Sequence, residues 1–127
     1  MLTRYKKMFN KIAMGLLSFM PNEKDLQQLQ MTMSKYETEQ NRQLFLWKEQ
    51  EDIIGLIGVL FVEKDIMQVL HISVNPSHRG QGIGKKMIKT LKELYPDPHI
   101  IPDTHTKAFY IKCDTDSLQP SLSESLA

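Results

Sequence analysis

Apolar residues in the first third of the chain recur at the three- and four-residue spacing of helices with one buried face. After a strand-like segment at residues 2–5, the first series predicts a helix that ends at Pro21 and buries Phe9, Ile12, Leu16 and Phe19. A second series predicts a helix capped by Asn22, with Asp25 three residues on, that buries Leu26, Leu29, Met33 and Tyr36. The two form a helical hairpin whose methionines and aromatic residues are expected to pack in the core.

The spacing changes to that of β-strands from residue 43 onward. β-Branched and aromatic runs cover residues 44–47, 53–62 and 66–74, and only short polar turns separate them. Short links between strands predict an antiparallel meander. The middle run is apolar on both faces, so we expect it to be covered on both sides, and Gly55 and Gly58 within it indicate a bulge or a close backbone contact.

The last third of the chain predicts an amphipathic helix, a minimal strand and a final helix. The first of these helices ends before Pro96 and is expected to bury Ile83, Met87, Leu91 and Leu94. Residues 99–101 form the minimal strand, and Asp103 can cap a last helix that carries Tyr110. Residues 114–127 are rich in Ser and Asp and are expected to form a short polar tail.

Composition fits a single domain and favours no class of charged partner. The chain has 127 residues, enough to bury roughly two thirds of the surface that its unfolded form exposes. Its net charge of +1 predicts neither a nucleic-acid nor a membrane partner, and the apolar stretch at residues 12–20 is far short of the roughly 20 residues that cross a bilayer. The single cysteine, Cys113, excludes an internal disulfide and fits a reducing, cytoplasmic setting.

Candidate chemistry is concentrated in the segment Arg79-Gly80-Gln81-Gly82-Ile83-Gly84, which follows a strand-like run and opens a helix-like one. Three glycines in five residues remove side chains from a short arc, so successive backbone N–H groups can approach one ligand. The helix that follows adds its unpaired N–H groups and the positive end of its dipole, and Lys85 and Lys86 add full charges. This glycine arc therefore predicts a site for a phosphate group.

Spacing excludes two common phosphate-binding loops. A Walker loop requires GxxxxGK[ST], but Arg79 stands in place of the first glycine and Lys86 in place of the Ser or Thr that holds Mg²⁺. A dinucleotide fingerprint requires GxGxxG in an early βαβ unit, whereas this chain has GxGxG after an antiparallel meander. Neither class of nucleotide site is expected.

The remaining pattern, R-x-x-G-x-G between a strand that ends in Val-x-Pro and a helix, resembles the acyl-CoA-binding signature of the GNAT superfamily of N-acyltransferases. That family typically reads V-x-P-x-x-R-G-x-G-I-G, which residues 74–84 match. The order of helices and strands over about residues 2–113 is similar as well. The resemblance implies an α/β (α+β) fold, with a mixed, mostly antiparallel sheet and helices on both faces, and an acyl-CoA-binding domain at residues 1–113.

The resemblance implies acetyl-CoA, or coenzyme A, as co-substrate. In the family, the pantetheine arm lies along the strand and the pyrophosphate on the glycine arc. The residues implied to bind the cofactor are Ile72, Ser73, Val74, Arg79, Gly80, Gln81, Gly82, Ile83, Gly84 and Lys85. No metal is expected, because the four histidines lack the spacing of metal ligands.

Two residues are candidates for proton transfer. Tyr110 matches the aromatic residue that many relatives place beside the thioester sulfur, with core packing as the alternative. The strand position where some relatives carry a glutamate falls near Gln68, which cannot titrate. His71 has a suitable ordinary pKa near 6.5, although the sequence favours the role of a hydrogen-bonded sheet residue, and a water chain is a further alternative.

The end of the chain departs from the family pattern. Relatives follow the tyrosine with a Gly-Phe turn and two further strands, whereas Cys113-Asp114-Thr115 leads here into a short polar segment. We therefore expect the C-terminal strands to be missing or reduced. An open acceptor cleft, completion by a second subunit in a homodimer, and loss of catalysis are the alternatives that remain.

Segments outside the cofactor motif resemble the RibT-type GNAT proteins of bacterial riboflavin operons. They are residues 4–7, 11–21 and 42–48. The first hypothesis is a cytoplasmic, CoA-dependent N-acetyltransferase that acts on a small-molecule amine and is linked to riboflavin biosynthesis. The alternative is a non-catalytic acyl-CoA-binding or regulatory protein of that pathway.

Overall fold

The computed structural model describes residues 1–23, 25–63 and 65–113, so the predicted tail at 114–127 lies outside the described residues. Strands and helices follow one another in the order that the sequence predicts. The strands are β1 (Leu2–Arg4), β2 (Arg42–Glu49), β3 (Asp52–Glu63), β4 (Ile66–Val74) and β5 (His99–Pro102). The helices are α1 (Asn10–Leu17), α2 (Leu26–Thr38), α3 (Ile83–Leu94) and α4, whose described part is residues 107–113, and single 3-10 turns lie at Lys7–Phe9 and Pro76–His78.

The sheet has the order β1-β2-β3-β4-β5. The first four strands pair antiparallel, which confirms the predicted meander, and β5 pairs parallel to β4 after the α3 crossover. Helices α1 and α2 pack on one face of the sheet through one apolar cluster, while α3 and α4 pack on the other face through a second cluster. A mixed, mostly antiparallel sheet with helices on both faces is therefore confirmed.

The buried face of α1 differs from the predicted one. Ala13, Leu16 and Leu17 are buried against the sheet, whereas Ile12 is 40% and Phe19 45% exposed. The helix ends at Leu17, so Phe19 lies beyond it, and Met20 is buried instead. The observed and the predicted series both fit a period of 3.6 residues, and only packing against the sheet selects between them.

Two predictions at helix ends were also wrong. Asp25, not Asn22, caps α2, because its side chain accepts a hydrogen bond from the Gln27 N–H at 3.2 Å. Leu26 at the start of α2 and Leu94 at the end of α3, both expected to be buried, are 62% and 53% exposed. Asp103 behaves as predicted at the last helix, where it accepts from the backbone N–H groups that precede α4.

Both glycines of β3 lie at irregular or crowded positions, as the sequence indicates. Close to Gly55, Ile54 is an extra residue in the pairing with β2. Next to Gly58, the extra residue is on the partner strand, where Leu70 stands between the paired positions Val69 and His71 of β4. A Cβ at Gly58 would overlap the Tyr36 hydroxyl of α2, so glycine is required for that helix to pack on the sheet.

Candidate cofactor-binding and active site

Strands β4 and β5 separate at one end and form a fork. Their pairing runs from Ile66 with His99 to Val69 with Pro102. At the fork point, the Val69 carbonyl accepts from the Asp103 N–H at 3.0 Å and from the Thr106 hydroxyl at 2.8 Å. Beyond Val69, the part of β4 that the structure describes has no partner in β5.

The open edge of β4 carries backbone groups that point away from β3. The Asn75 N–H donates to the Ile54 carbonyl of β3 at 2.8 Å. Because backbone polar groups alternate in direction along a strand, those of Val74 and Ile72 point to the opposite edge, where β5 has diverged. The Val74 carbonyl accepts there from the Arg79 side chain at 3.1 Å. The fork therefore offers an extended ligand a strand edge with which to pair.

The glycine arc opens α3 in a conformation that other residues adopt only with strain. Gly80 and Gly82 have φ angles of +81° and +76°, in the left-handed region. Gly82 is the N-cap of α3, and its carbonyl accepts from the Lys86 N–H at 3.0 Å. A Cβ at either glycine would meet no atom within 4 Å, so the space in front of the arc is open to a ligand.

Gly84 has a different role from the other two glycines. A Cβ there would lie 2.6 Å from Phe109 Cε1 and 2.9 Å from Cys113 Sγ, both in α4. Its missing side chain therefore lets α4 approach the first turn of α3. This close approach forms one wall of the cavity in front of the arc.

A cavity of about 500 Å³ lies between the end of β4, the glycine arc and α4. Seven of the ten predicted cofactor residues line it: Val74, Arg79, Gly80, Gly82, Ile83, Gly84 and Lys85. The predicted residues Ile72, Ser73 and Gln81 are not in its lining. The lining also includes His78, which directly precedes the arc, and it includes Phe109, Lys112 and Cys113, which sequence reasoning missed because only the packing of α4 brings that helix to the cavity.

Arg79 connects the start of the arc to two neighbouring segments. Its Nε donates to the Val74 carbonyl, and its guanidinium carbon lies 5.7 Å from the centroid of the exposed Phe19 ring after α1. The Asn75 side chain also accepts from the Ser77 N–H at 3.0 Å, which orders the turn between β4 and the arc. With Lys85 and Lys112 in the lining, the cavity has three cationic side chains and suits an anionic ligand.

His71 points away from the cavity, into the layer between β4 and α2. Its Nδ1 lies 2.6 Å from the Tyr36 hydroxyl, and its Nε2 lies 3.4 Å from Glu23 Oε2. Burial raises the pKa of the Tyr36 phenol, so its hydroxyl stays protonated. Because an ionised carboxylate can only accept, His71 Nε2 donates to Glu23.

Tyr110 also lies in the core rather than in the cavity lining. It is 5% exposed, packs in the apolar cluster under α3, and its hydroxyl donates to the Ile100 carbonyl of β5 at 3.2 Å. The structure thus brings most of the predicted cofactor residues together and places both predicted proton carriers elsewhere. Their catalytic assignment stays a prediction.

Two further searches of the described residues bear on the class of site. Within residues 1–23, 25–63 and 65–113, no three His, Cys, Asp or Glu side chains gather in a way that could hold a metal ion. In the same ranges, no helix combines the length and apolar character needed to span a bilayer.

Comparison with protein families gives a match over most of the chain. Residues 10–114 match the family described as "Acetyltransferase (GNAT) family". A Bacillus methanolicus protein, described as "Uncharacterized N-acetyltransferase in lysA 3'region", is 68% identical over 114 residues, which are 90% of this chain and 95% of that protein.

Solved structures share the fold at low sequence identity. One is AAC(6')-Iy in complex with the bisubstrate analog CoA-S-monomethyl-acetylneamine, with a TM-score of 0.72 and 14% identity over 93% of this chain and 88% of that one. Another is an aminoglycoside 6'-N-acetyltransferase complexed with coenzyme A, with a TM-score of 0.61 and 14% identity over 74% of this chain and 54% of that one. The family match and the Bacillus relative together show that this chain belongs to the GNAT acetyltransferase family.

Proposed function

We propose that this chain is a CoA-dependent N-acetyltransferase that transfers the acetyl group of acetyl-CoA to a small-molecule amine. The observation that carries the proposal is the fork, whose open strand edge at Ile72 and Val74 leads directly to the cationic cavity at the glycine arc. An extended arm with a hydrogen-bonding amide at one end and a pyrophosphate at the other fits such a combination. Membership of the GNAT family supports the same ligand.

The residues present fit the pyrophosphate and the pantetheine arm of acetyl-CoA. The pyrophosphate would lie on the backbone N–H groups of residues 79–85, Gln81 included, with the charges of Lys85 and Lys112 beside it. The pantetheine arm would pair with the edge of residues 72–74, which includes Ser73. The thioester then lies close to the fork point, where β4 and β5 join at Val69.

The reaction makes one C–N bond and breaks one C–S bond. The neutral amine attacks the thioester carbonyl carbon, the nitrogen loses a proton, and the departing thiolate gains one. Tyr110 can supply that proton only if its hydroxyl gives up its hydrogen bond to the Ile100 carbonyl and donates to the sulfur instead. Residues of the chain thus bind the cofactor in an extended form and leave the amine to enter at the fork.

The identity of the acceptor is the finer part of the proposal. A link to riboflavin biosynthesis rests on the resemblance of residues 4–7, 11–21 and 42–48 to the riboflavin-operon proteins, and it makes amine-bearing flavin precursors the first acceptors to test. The proposed setting is the cytoplasm, and a homodimer is one way to complete the acceptor wall. The bisubstrate analog in the AAC(6')-Iy complex shows an amine acceptor for that protein.

A non-catalytic acyl-CoA-binding protein is the second candidate. One observation favours it: His71 and Tyr110, the two predicted proton carriers, are both hydrogen-bonded inside the domain. Such a protein would keep the fork and the glycine arc, and it would bind acetyl-CoA without turning it over.

Calorimetric titration with acetyl-CoA and with CoA tests the premise that both candidates share. We expect binding by the parent protein and none by Gly82→Leu, because a bulky side chain at a left-handed φ both strains the arc and fills the cavity mouth. Gly15→Leu is the matched control, since Gly15 lies on the exposed side of α1 and a Cβ there meets nothing within 4 Å. Absence of heat at high micromolar ligand, with folded protein, overturns both candidates.

Release of free thiol from acetyl-CoA separates the two candidates. The assay uses a panel of small amines that includes flavin precursors, and the N-acetyl product is identified by mass spectrometry. Turnover of any acceptor supports the enzyme. Tight binding of acetyl-CoA without turnover across the panel supports the non-catalytic alternative.

A further inference from the structure

The connection between α1 and α2 brings a buried carboxylate onto β4. Glu23 lies in this connection, is 2% exposed, and contacts His71 Nε2 through Oε2 at 3.4 Å. Strand β4 itself offers only Gln68 at the position where the family resemblance leads one to expect a glutamate. The loop before α2 therefore brings to β4 a carboxylate, which the strand itself lacks.

Two donors fix the orientation of this carboxylate, and a third side chain holds one of them. The Thr32 hydroxyl donates to Glu23 Oε1 at 2.7 Å, and the Gln28 side-chain amide donates in turn to Thr32 Oγ1 at 3.4 Å. On the other oxygen, His71 donates from Nε2, because an ionised carboxylate can only accept, and Nδ1 of the same ring bonds the Tyr36 hydroxyl. Each side chain of the series Tyr36–His71–Glu23–Thr32 is thus hydrogen-bonded to the next.

Two buried polar atoms next to this series have no protein partner. Ser73 is 5% exposed, and its Oγ has no hydrogen-bond partner among the described residues. The same holds for Oδ1 of Asn22, the residue before Glu23. Buried polar atoms are almost always hydrogen-bonded, and where protein groups do not supply the partner a water molecule or a ligand does.

Ser73 projects from the same face of β4 as His71. The pairing of residues 71–74 with β3 is uninterrupted, so side chains two residues apart share a face. Ile72 and Val74 pack in the opposite layer, under α3. The unpartnered Ser73 hydroxyl is therefore in the same layer as the Glu23–His71 pair, in the stretch of β4 that the fork leaves without a β5 partner.

We propose that Glu23 is the proton acceptor of the acetyl transfer and acts through a water molecule held by Ser73. This inference rests on the proposed function, which places the thioester and the incoming amine at the fork. The amine nitrogen forms a bond to the carbonyl carbon and gives its proton to the water, which passes one of its own to Glu23. The C–S bond breaks, and the departing thiolate takes up a proton from solvent. Glu23 then releases its proton to solvent, so the proton lost by the amine balances the proton gained by the thiol. His71 and Thr32 are positioning residues.

Steady-state kinetics of Glu23→Gln tests the inference. Amide replaces carboxylate with little change of shape, so we expect kcat to fall about 100-fold or more while the KM for acetyl-CoA and the calorimetric affinity for CoA stay unchanged. Glu23→Asp keeps the charge and should recover part of the loss. Glu37→Gln is the matched control: it makes the same change on α2, where Glu37 accepts from the exposed Tyr5 hydroxyl, and should leave kcat unchanged.

A pH profile distinguishes proton transfer from a merely structural role. In acid, log(kcat/KM) of the parent should fall as both the acceptor amine and Glu23 become protonated, so its slope is steeper than that of Glu23→Gln, which follows the protonation of the acceptor alone. The titratable group that faces Glu23 is His71, which bonds Tyr36 in turn. The charges of Arg42 and Asp103 act on Tyr36. Equal slopes in the two proteins would contradict the relay.

A second variant decides the matter if Glu23→Gln does not fold. Thr32→Val removes one orienting hydrogen bond and keeps the carboxylate, and we expect a several-fold loss of kcat at unchanged KM for acetyl-CoA. A parent protein that binds acetyl-CoA but acetylates no amine overturns the proposed function, and this inference with it. A parent that turns over at a rate which the Glu23 and Thr32 variants leave unchanged overturns the inference alone.

Discussion

The hydroxyl of Tyr36 occupies the space that a side chain at Gly58 would need. The same hydroxyl lies 2.6 Å from His71 Nδ1, so the absence of a side chain at Gly58 leaves room for the hydrogen bond between Tyr36 and His71. We expect Gly58→Ala to lower the free energy of unfolding by about 2 kcal/mol or more, because α2 must move away from the sheet. Urea unfolding measures the change. Gly15→Ala, whose Cβ meets nothing, should not destabilise the protein, and equal stabilities of the two variants would contradict this packing.

Gly84→Ala should act through α4 rather than through the ligand. The added Cβ meets Phe109 Cε1 at 2.6 Å, so we expect a loss of about 1 kcal/mol and a weaker affinity for CoA, as α4 shifts away from the cavity. Phe109→Ala removes the obstacle, and the double variant should lose less stability than the sum of the two single changes. Additive losses in urea unfolding would show that the two side chains do not meet.

The charge of Lys112 should contribute to CoA affinity. It lines the cavity from α4, and its replacement by Ala is expected to weaken CoA several-fold, with a smaller effect at high salt because ions screen exposed charges. Lys107→Ala changes the same residue type on the same helix outside the lining and serves as control. Titrations at low and high salt test both variants. Equal affinities for Lys112→Ala and Lys107→Ala would remove Lys112 from the site.

Stability should fall in acid through Glu23. Burial acts to raise the pKa of this carboxyl, but hydrogen bonds from His71 and Thr32 and the attraction of His71 outweigh it, and the pKa lies below its usual 4.5. A lowered folded-state pKa means that Glu23 stabilises the fold above pH 4.5 and that this contribution is lost as the pH falls through the folded-state value. Urea unfolding between pH 7 and pH 3 measures it. Glu23→Gln should have a flatter profile, and an identical profile would contradict the assignment.

Tyr110→Phe separates the two roles that the sequence allows for this residue. If the hydroxyl only bonds the Ile100 carbonyl, its loss costs about 1 kcal/mol of stability and leaves kcat unchanged. A fall in kcat at unchanged stability would indicate that it protonates the thiolate. Paired kinetic and unfolding measurements give the answer, and the position of the hydroxyl in the structure makes the first outcome our expectation.

The order of elements and the glycine arc could be predicted because both are local. Strand and helix periods are visible within a dozen residues, and left-handed positions such as Gly80 and Gly82 require glycine wherever the arc lies in the fold. Burial of Met20 rather than Phe19 could not be predicted, because both series fit a helix and only the sheet selects one. Helical period alone does not say which neighbour a face will meet.

The rest of the site depends on contacts between distant segments. Phe109, Lys112 and Cys113 reach the cavity because α4 packs against α3 at Gly84, a contact that no spacing indicates. Glu23 lies in a link between two helices, a setting typical of a solvated carboxylate. Its burial follows from a hydrogen bond to a residue 48 positions away, which a local pattern cannot contain.

The extra residue Leu70 sets the phase of β4. Ile72 lies in the same apolar layer as Val69, although an odd separation would put them on opposite faces of a regular strand. If Leu70 were paired as a regular strand residue, with the pairing before it unchanged, His71 would turn into the apolar layer under α3 and the backbone groups of Ile72 would turn towards β3. The polar layer and the ligand edge would be lost in one step. Loss of this bulge, with no change to any side chain of the site, would therefore exchange the two faces of β4 from His71 onward, whereas deletion of Leu70 would remove the bulge and keep those faces.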